Sequence, residues 1–150
     1  MTDEELMRLA LAEAEKASAE GEIPVGAVIT KDGKVLFSAH NEREAHRDPT
    51  AHAEMTCLRG AAAALRDWRL RGCTLYVTLE PCPMCAGAMI MSQLDRVVFG
   101  ASDPLRGCCG SVYDLPGDPQ LQGLTVWKAG VLQEECQKVL EGFFEELRDQ

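Results

Sequence analysis

The sequence predicts a three-layer α/β/α fold around a mixed five-stranded sheet, in one domain over residues 1–150. Three observations carry this expectation. Apolar spacing alternates along the chain between helical and strand periods, in the order α-β-β-α-β-α-β-β-α. Lys31-Asp32-Gly33-Lys34 separates two short apolar runs and carries Asp-Gly, a strong hairpin signal, so the first two strands are antiparallel. Helical segments separate most later strands, and helical crossovers make sheet neighbours parallel. With 150 residues, 46% of them apolar, there is material for a core with helices on both faces of the sheet.

Residues 3–20 place Leu6, Leu9, Ala10, Ala14 and Ala17 at helical spacing, with Thr2 or Asp3 as cap and Gly21 as stop. Val25 to Thr30 and Val35 to Ala39 are the strands of the hairpin. Asn41 to Arg47 is polar and reads as loop. Asp48-Pro49 reads as a helix cap followed by a first-turn proline, and the helix continues through Met55, Leu58, Ala61, Ala62 and Leu65. Thr74 to Leu79 is rich in β-formers. Pro81 is expected to open the next helix, with Ala86, Met89 and Ile90 inward. Arg96 to Phe99 reads as a strand, 101–123 as irregular, Leu124 to Lys128 as a strand and Gln133 to Leu147 as a helix.

The formal net charge is −9. It resides at the two ends: residues 1–22 hold seven acids and two bases, and residues 134–150 hold six acids and two bases. The span 23–133 is neutral. This balance argues against a general nucleic-acid binder but leaves room for a local basic surface in the middle. No apolar run reaches the roughly 20 residues of a membrane span, and the N-terminus lacks a secretory pattern, so a cytoplasmic protein is expected. Seven cysteines in that setting point to metal or catalytic use before disulfides.

Two short motifs concentrate chemistry. One is His52-Ala53-Glu54 at a helix start; the other is Pro81-Cys82-Pro83-Met84-Cys85 directly after a strand. Cys82 and Cys85, three apart on a helix start, present both sulfurs on one face. A helix N-terminus favours the thiolate, the form that binds metal. With His52 they make three ligands suited to one zinc ion (Zn2+) per chain. Three protein ligands leave a coordination position open, as in catalytic zinc sites, where the metal lowers the pKa of bound water toward about 7. Glu54, two residues from His52, faces elsewhere and can reach that position as a general acid–base. A thioredoxin-type Cys-x-x-Cys pair is the redox alternative, but it leaves His52 and Glu54 idle. A structural zinc knuckle lacks its fourth ligand. Cys57, Cys73 and Cys136 read as core, and Cys108 and Cys109 receive no role.

These motifs resemble the zinc-dependent nucleobase deaminases, whose signature is H-x-E…P-C-x-x-C. Within that group the chain looks closest to the bacterial tRNA-specific adenosine deaminases. The resemblance is carried by Ile23-Pro24-Val25-Gly26-Ala27-Val28, His40-Asn41, Asp48 through Glu54 (DPTAHAE), Trp68-Arg69-Leu70, Thr74 through Cys85 (TLYVTLEPCPMC) and Val97-Val98-Phe99-Gly100-Ala101.

The resemblance implies a cytidine deaminase-like fold and hydrolytic conversion of adenosine to inosine at the wobble position of a tRNA anticodon loop. It implies zinc on His52, Cys82 and Cys85 and proton transfer by Glu54. Substrate contacts are implied for Asn41, Ala53, Pro81, Asp103 and Arg106. The implied partners are a tRNA anticodon stem-loop and a second copy of the chain, with no membrane. The alternatives are deamination of a free base or nucleoside (guanine, cytosine or adenosine) and a catalytically silent RNA-binding subunit, the last disfavoured by Glu54. One departure stands out. The family commonly ends in a longer basic segment, whereas residues 143–150 here are short and acidic. RNA contacts are therefore expected among Arg43, Arg47, Arg66, Arg69, Arg71 and Arg106.

Overall fold

The structure, a computed structural model, describes residues 1–149. Its elements are α1 (Asp3–Ala19), β1 (Gly26–Lys31), β2 (Lys34–His40), α2 (Arg43–His46), α3 (Ala53–Leu65), β3 (Cys73–Leu79), α4 (Pro83–Met91), β4 (Arg96–Ala101), a 3₁₀ turn (Pro119–Leu121), β5 (Val126–Lys128) and α5 (Gln133–Arg148). The five strands form one mixed sheet in the order β2-β1-β3-β4-β5. β1 runs antiparallel to β2 and β3, while β3–β4 and β4–β5 are parallel. The expected three-layer fold is the observed one.

Strand alternation divides the core between the two faces. Val28, Tyr76 and Val98 pack with Leu6, Met7, Ala10 and Leu11 of α1 and with Cys136 of α5. Ala27, Ile29, Leu75, Val77, Val97 and Phe99 face the other way, onto Cys57, Leu58 and Ala61 of α3 and Ala86 and Met89 of α4. The acidic terminal segments thus form α1 and α5 on one side of the sheet. The two motif-bearing helices lie on the other.

Several local expectations change. Thr2, not Asp3, caps α1, in a reciprocal box with Glu5. Leu9 is 41% exposed rather than core, because α1 turns Leu6, Ala10, Ala14 and Ala17 inward. The segment 41–47 contains the short helix α2 instead of continuous loop. The backbone N–H groups of Glu44 and Ala45 donate to the buried carboxylate of Glu22 at 3.0 and 2.8 Å, a cap supplied from far along the chain. Asp48 does not cap α3. Its side chain closes a local turn by accepting from the N–H and hydroxyl of Thr50, and α3 begins at Ala53 with His52 in the cap position. Pro81 does not open α4 either. Cys82 precedes Pro83 and is pushed into extended backbone (φ −75°, ψ 174°), so the helix starts at Pro83. The last strand shortens to Val126–Lys128, with Leu124 exposed and Thr125 bonded to the carbonyl of Leu94.

Gly26 lets α1 lie directly on β1. A Cβ at this position would overlap the Ala10 carbonyl and the Ala14 amide nitrogen of α1. Gly26→Ala is therefore expected to cost about 1–3 kcal/mol by overpacking. At roughly 2–4 °C per kcal/mol for a chain of this size, thermal unfolding should show Tm lower by about 2–12 °C.

Candidate active site

β3 and β4 run parallel, and the segment after β3 turns into α4 at their carboxyl ends, the usual place for a site in an α/β sheet. His52 is the cap residue of α3 and Cys82 that of α4, and Cys85 lies in the first turn of α4. Two helix N-termini therefore converge on one point. The ligand atoms of His52, Cys82 and Cys85 all lie within 4.8 Å of one another, and His52 Nδ1 is 3.6 Å from each sulfur. Tetrahedral zinc, with bonds of about 2.3 Å to sulfur and 2.0 Å to nitrogen, sets nitrogen and sulfur about 3.5 Å apart. The set fits the ion.

The charge state of the cysteines supports the same fit. The Cys85 thiol donates to Cys82, which, with His52 beside it and against the effect of burial, lowers Cys82 to about 4. Cys85, left holding the proton and buried, is pushed far up. One thiolate is thus already favoured, and a divalent cation would allow both. Among the described residues no fourth ligand joins the group. Cys57 instead points its thiol at the Ala27 carbonyl, 3.4 Å away, and Cys108 points at that of Arg106. Cys57, Cys73 and Cys136 are buried as expected of core residues.

Glu54 is 4% exposed on the first turn of α3, and its Oε1 is buried without a hydrogen-bond partner. Burial pushes its pKa up. A desolvated carboxylate oxygen without a partner is costly, and Glu54 lines the same pocket as His52 and Cys82.

That pocket also brings together Asn41, Ala53, Asp103 and Arg106. Asn41 is buried and fixed at both ends of its amide: Nδ2 donates to the Ile23 carbonyl and Oδ1 accepts from the Arg43 N–H, each at 3.2 Å. Asp103 Oδ1 accepts from the N–H groups of Leu105 and Arg106, which closes a turn beside the pocket. Pro81 is buried and, unlike the other expected substrate contacts, does not line the pocket; its carbonyl accepts from the Cys108 N–H at 2.9 Å. Ile23, Val25 and Leu79 add apolar wall, and Arg43 adds a second guanidinium to that of Arg106. Of the basic candidates, Arg43 and Arg106 reach the pocket. Arg69 instead lies over the ring of Trp68 and pairs with Asp67.

Sequence reasoning missed two carboxylates, Glu22 and Glu80, each 2% exposed. Glu22 holds α2, as described above. Glu80 accepts from the segment that carries Asp103. The one local signal for either was an acid set among apolar or turn residues beside a motif.

The family model for the cytidine and deoxycytidylate deaminase zinc-binding region matches residues 1–101. The chain belongs to this family. This zinc deaminase is 49% identical to the tRNA-specific adenosine deaminase of Bacillus subtilis, over 99% of its own length and 92% of that protein's. It superposes with a TM-score of 0.88, at 38% identity, on a structure from a study of A-to-I editing by tRNA:A34 deaminases. That match covers 91% of this chain and 99% of the other. A guanine deaminase from Bacillus subtilis matches with a TM-score of 0.65 and 38% identity, over 68% of this chain and 66% of that one. The deaminase contains no helix among its described residues long and apolar enough to cross a membrane.

Proposed function

We propose that this chain acts as one deaminase domain over residues 1–150, converting adenosine to inosine at the wobble position of a tRNA anticodon loop in the cytoplasm. The observation that carries the chemistry is the partnerless, buried Glu54 Oε1 in the pocket beside the His52–Cys82–Cys85 group. The near full-length similarity to tRNA-specific adenosine deaminases supports the substrate.

In this reading His52, Cys82 and Cys85 hold one zinc ion. Zinc when bound activates a water for attack on C6 of adenine. Glu54 would carry one proton of the attacking water to N1 of adenine and the second, from the hydroxyl then on C6, to the amino nitrogen, so that the C6–N bond breaks, ammonia leaves and inosine remains. Burial raises the proton affinity of Glu54 above that of an ordinary carboxylate, which strengthens it as a proton acceptor. Asn41, held rigid by Ile23 and Arg43, orients the flipped nucleotide, and the backbone at Ala53 and the Pro81–Cys82 turn borders the base. Asp103 and Arg106 meet the flanking nucleotides, and Arg43 lines the same pocket. Loop bases are already unstacked, which lowers the cost of splaying one into the pocket. The acids of α1 and α5 lie on the far face of the sheet from α3 and α4, away from this path. We further propose a homodimer through α3 and α4.

Deamination assayed in parallel on an anticodon stem-loop with wobble adenosine and on free guanine, cytosine and adenosine tests the reading. Inosine should appear in the stem-loop and the free compounds should remain unchanged. Turnover of free guanine or cytosine with none on the stem-loop would overturn it.

A further inference from the structure

Glu80 follows β3 directly, and the chemistry above gives it no part. Its carboxylate is nonetheless fully committed. Oε1 accepts from the Asp103 N–H at 3.0 Å and from the Ser111 hydroxyl. Oε2 accepts from the N–H groups of Cys109 and Ser111 at 3.0 and 3.1 Å. All four donors belong to the irregular segment 103–111 that follows β4. An ionised carboxylate offers about four acceptor sites and no donor, so donors and acceptors match in number. Gly107 lies flat against the group, and a Cβ there would overlap both carboxylate oxygens. The Cys108 N–H, bonded to the Pro81 carbonyl, ties the same segment to the same corner.

Cys108 and Cys109 pack into the core, but Leu105 and Arg106 are exposed, so packing holds the stretch that carries Asp103 and Arg106 poorly although both form part of the pocket wall. The place of that wall is thus set by the Glu80 hydrogen bonds together with the Cys108–Pro81 backbone bond and the core packing of Cys108 and Cys109. Glu80 borders the pocket too, but its oxygens are taken up by loop donors, whereas Oε1 of Glu54 has no partner.

We infer that Glu80 is a positioning residue: it fixes Asp103 and Arg106 at the pocket mouth and so sets how tightly RNA beside the reacting nucleotide is held. The effect on RNA rests on the tRNA reading above, while the clamp itself does not. Charge-assisted hydrogen bonds of this kind are stronger than neutral ones, and backbone N–H donors cannot reverse. Glu80→Gln must set its NH2 against the N–H of Asp103 in one orientation, or against those of Cys109 and Ser111 in the other.

The experiment compares wild type, Glu80→Gln, Arg106→Ala and the double variant on the anticodon stem-loop, with amide hydrogen exchange of 103–111 read in parallel. In Glu80→Gln, exchange of the segment should accelerate about tenfold or more. KM should rise about tenfold, with kcat within roughly threefold of wild type and zinc still near one equivalent. Arg106→Ala should raise KM alone but add little in the Glu80→Gln background, because the two act through one wall. A lower Tm with unchanged KM, fully additive effects or unchanged exchange would each overturn the inference. If Glu80→Gln does not fold, Gly107→Ala disturbs the same contact from the loop side and is judged by the same readings. If wild type has no turnover on the stem-loop, the tRNA reading fails, and the exchange result alone decides the clamp.

Discussion

Glu54→Ala is expected to lose turnover by about 10²–10⁴-fold while keeping one zinc per chain and nearly full affinity for the stem-loop. The reason is the separation of duties proposed for Glu54 and the candidate ligand group. His52, Cys82 and Cys85 lie within 4.8 Å of one another and form the grouped donors; Glu54 is not among them. Its Oε1 has no partner, so its removal breaks no hydrogen bond at that atom. A group that acts only on protons in transit should appear in kcat and leave KM almost unchanged. Glu54→Gln keeps the shape and removes the basicity, so it should match the alanine variant in rate. It should also melt no lower than wild type, because a desolvated carboxylate is replaced by a neutral amide. Metal analysis and single-turnover kinetics check the pair. Loss of zinc from either variant would make Glu54 a ligand and overturn the assignment.

Cys85→Ala should reduce bound zinc from about one equivalent to near none, and activity with it. Cys85 is buried on the first turn of α4, and the remaining donors, His52 and Cys82, are two against the three or four that zinc sites in proteins normally use. Metal binding couples to stability, because a ligand that binds only the folded state adds about 2.7 kcal/mol at a hundredfold excess over Kd. A chelator should therefore lower Tm of the wild type and leave that of Cys85→Ala unmoved. Retention of full zinc by Cys85→Ala would show that the ligand set is wrong.

The parts legible in the sequence are those written at short range. Helix and strand periods gave the order of elements, Asp32-Gly33 gave the hairpin, and the spacings His52-x-Glu54 and Cys82-x-x-Cys85 gave the reactive group. Each of these depends on residues a few positions apart. Boundaries failed where a competing local bond won, as when Asp48 closed on Thr50 rather than capping α3.

By itself, then, the sequence determined the layered fold and singled out His52, Cys82 and Cys85 as the candidate ligand set and Glu54 as the candidate proton carrier. Tertiary structure alone decided which walls enclose them. Glu22 caps α2 across 22 and 23 positions, and Glu80 gathers donors 23 to 31 positions away. In sequence only an apolar or turn setting beside a motif separates either acid from the many solvated ones of this chain. What singles them out is burial, which removes water as a partner and obliges each carboxylate to take its hydrogen bonds from whatever backbone the fold brings within reach.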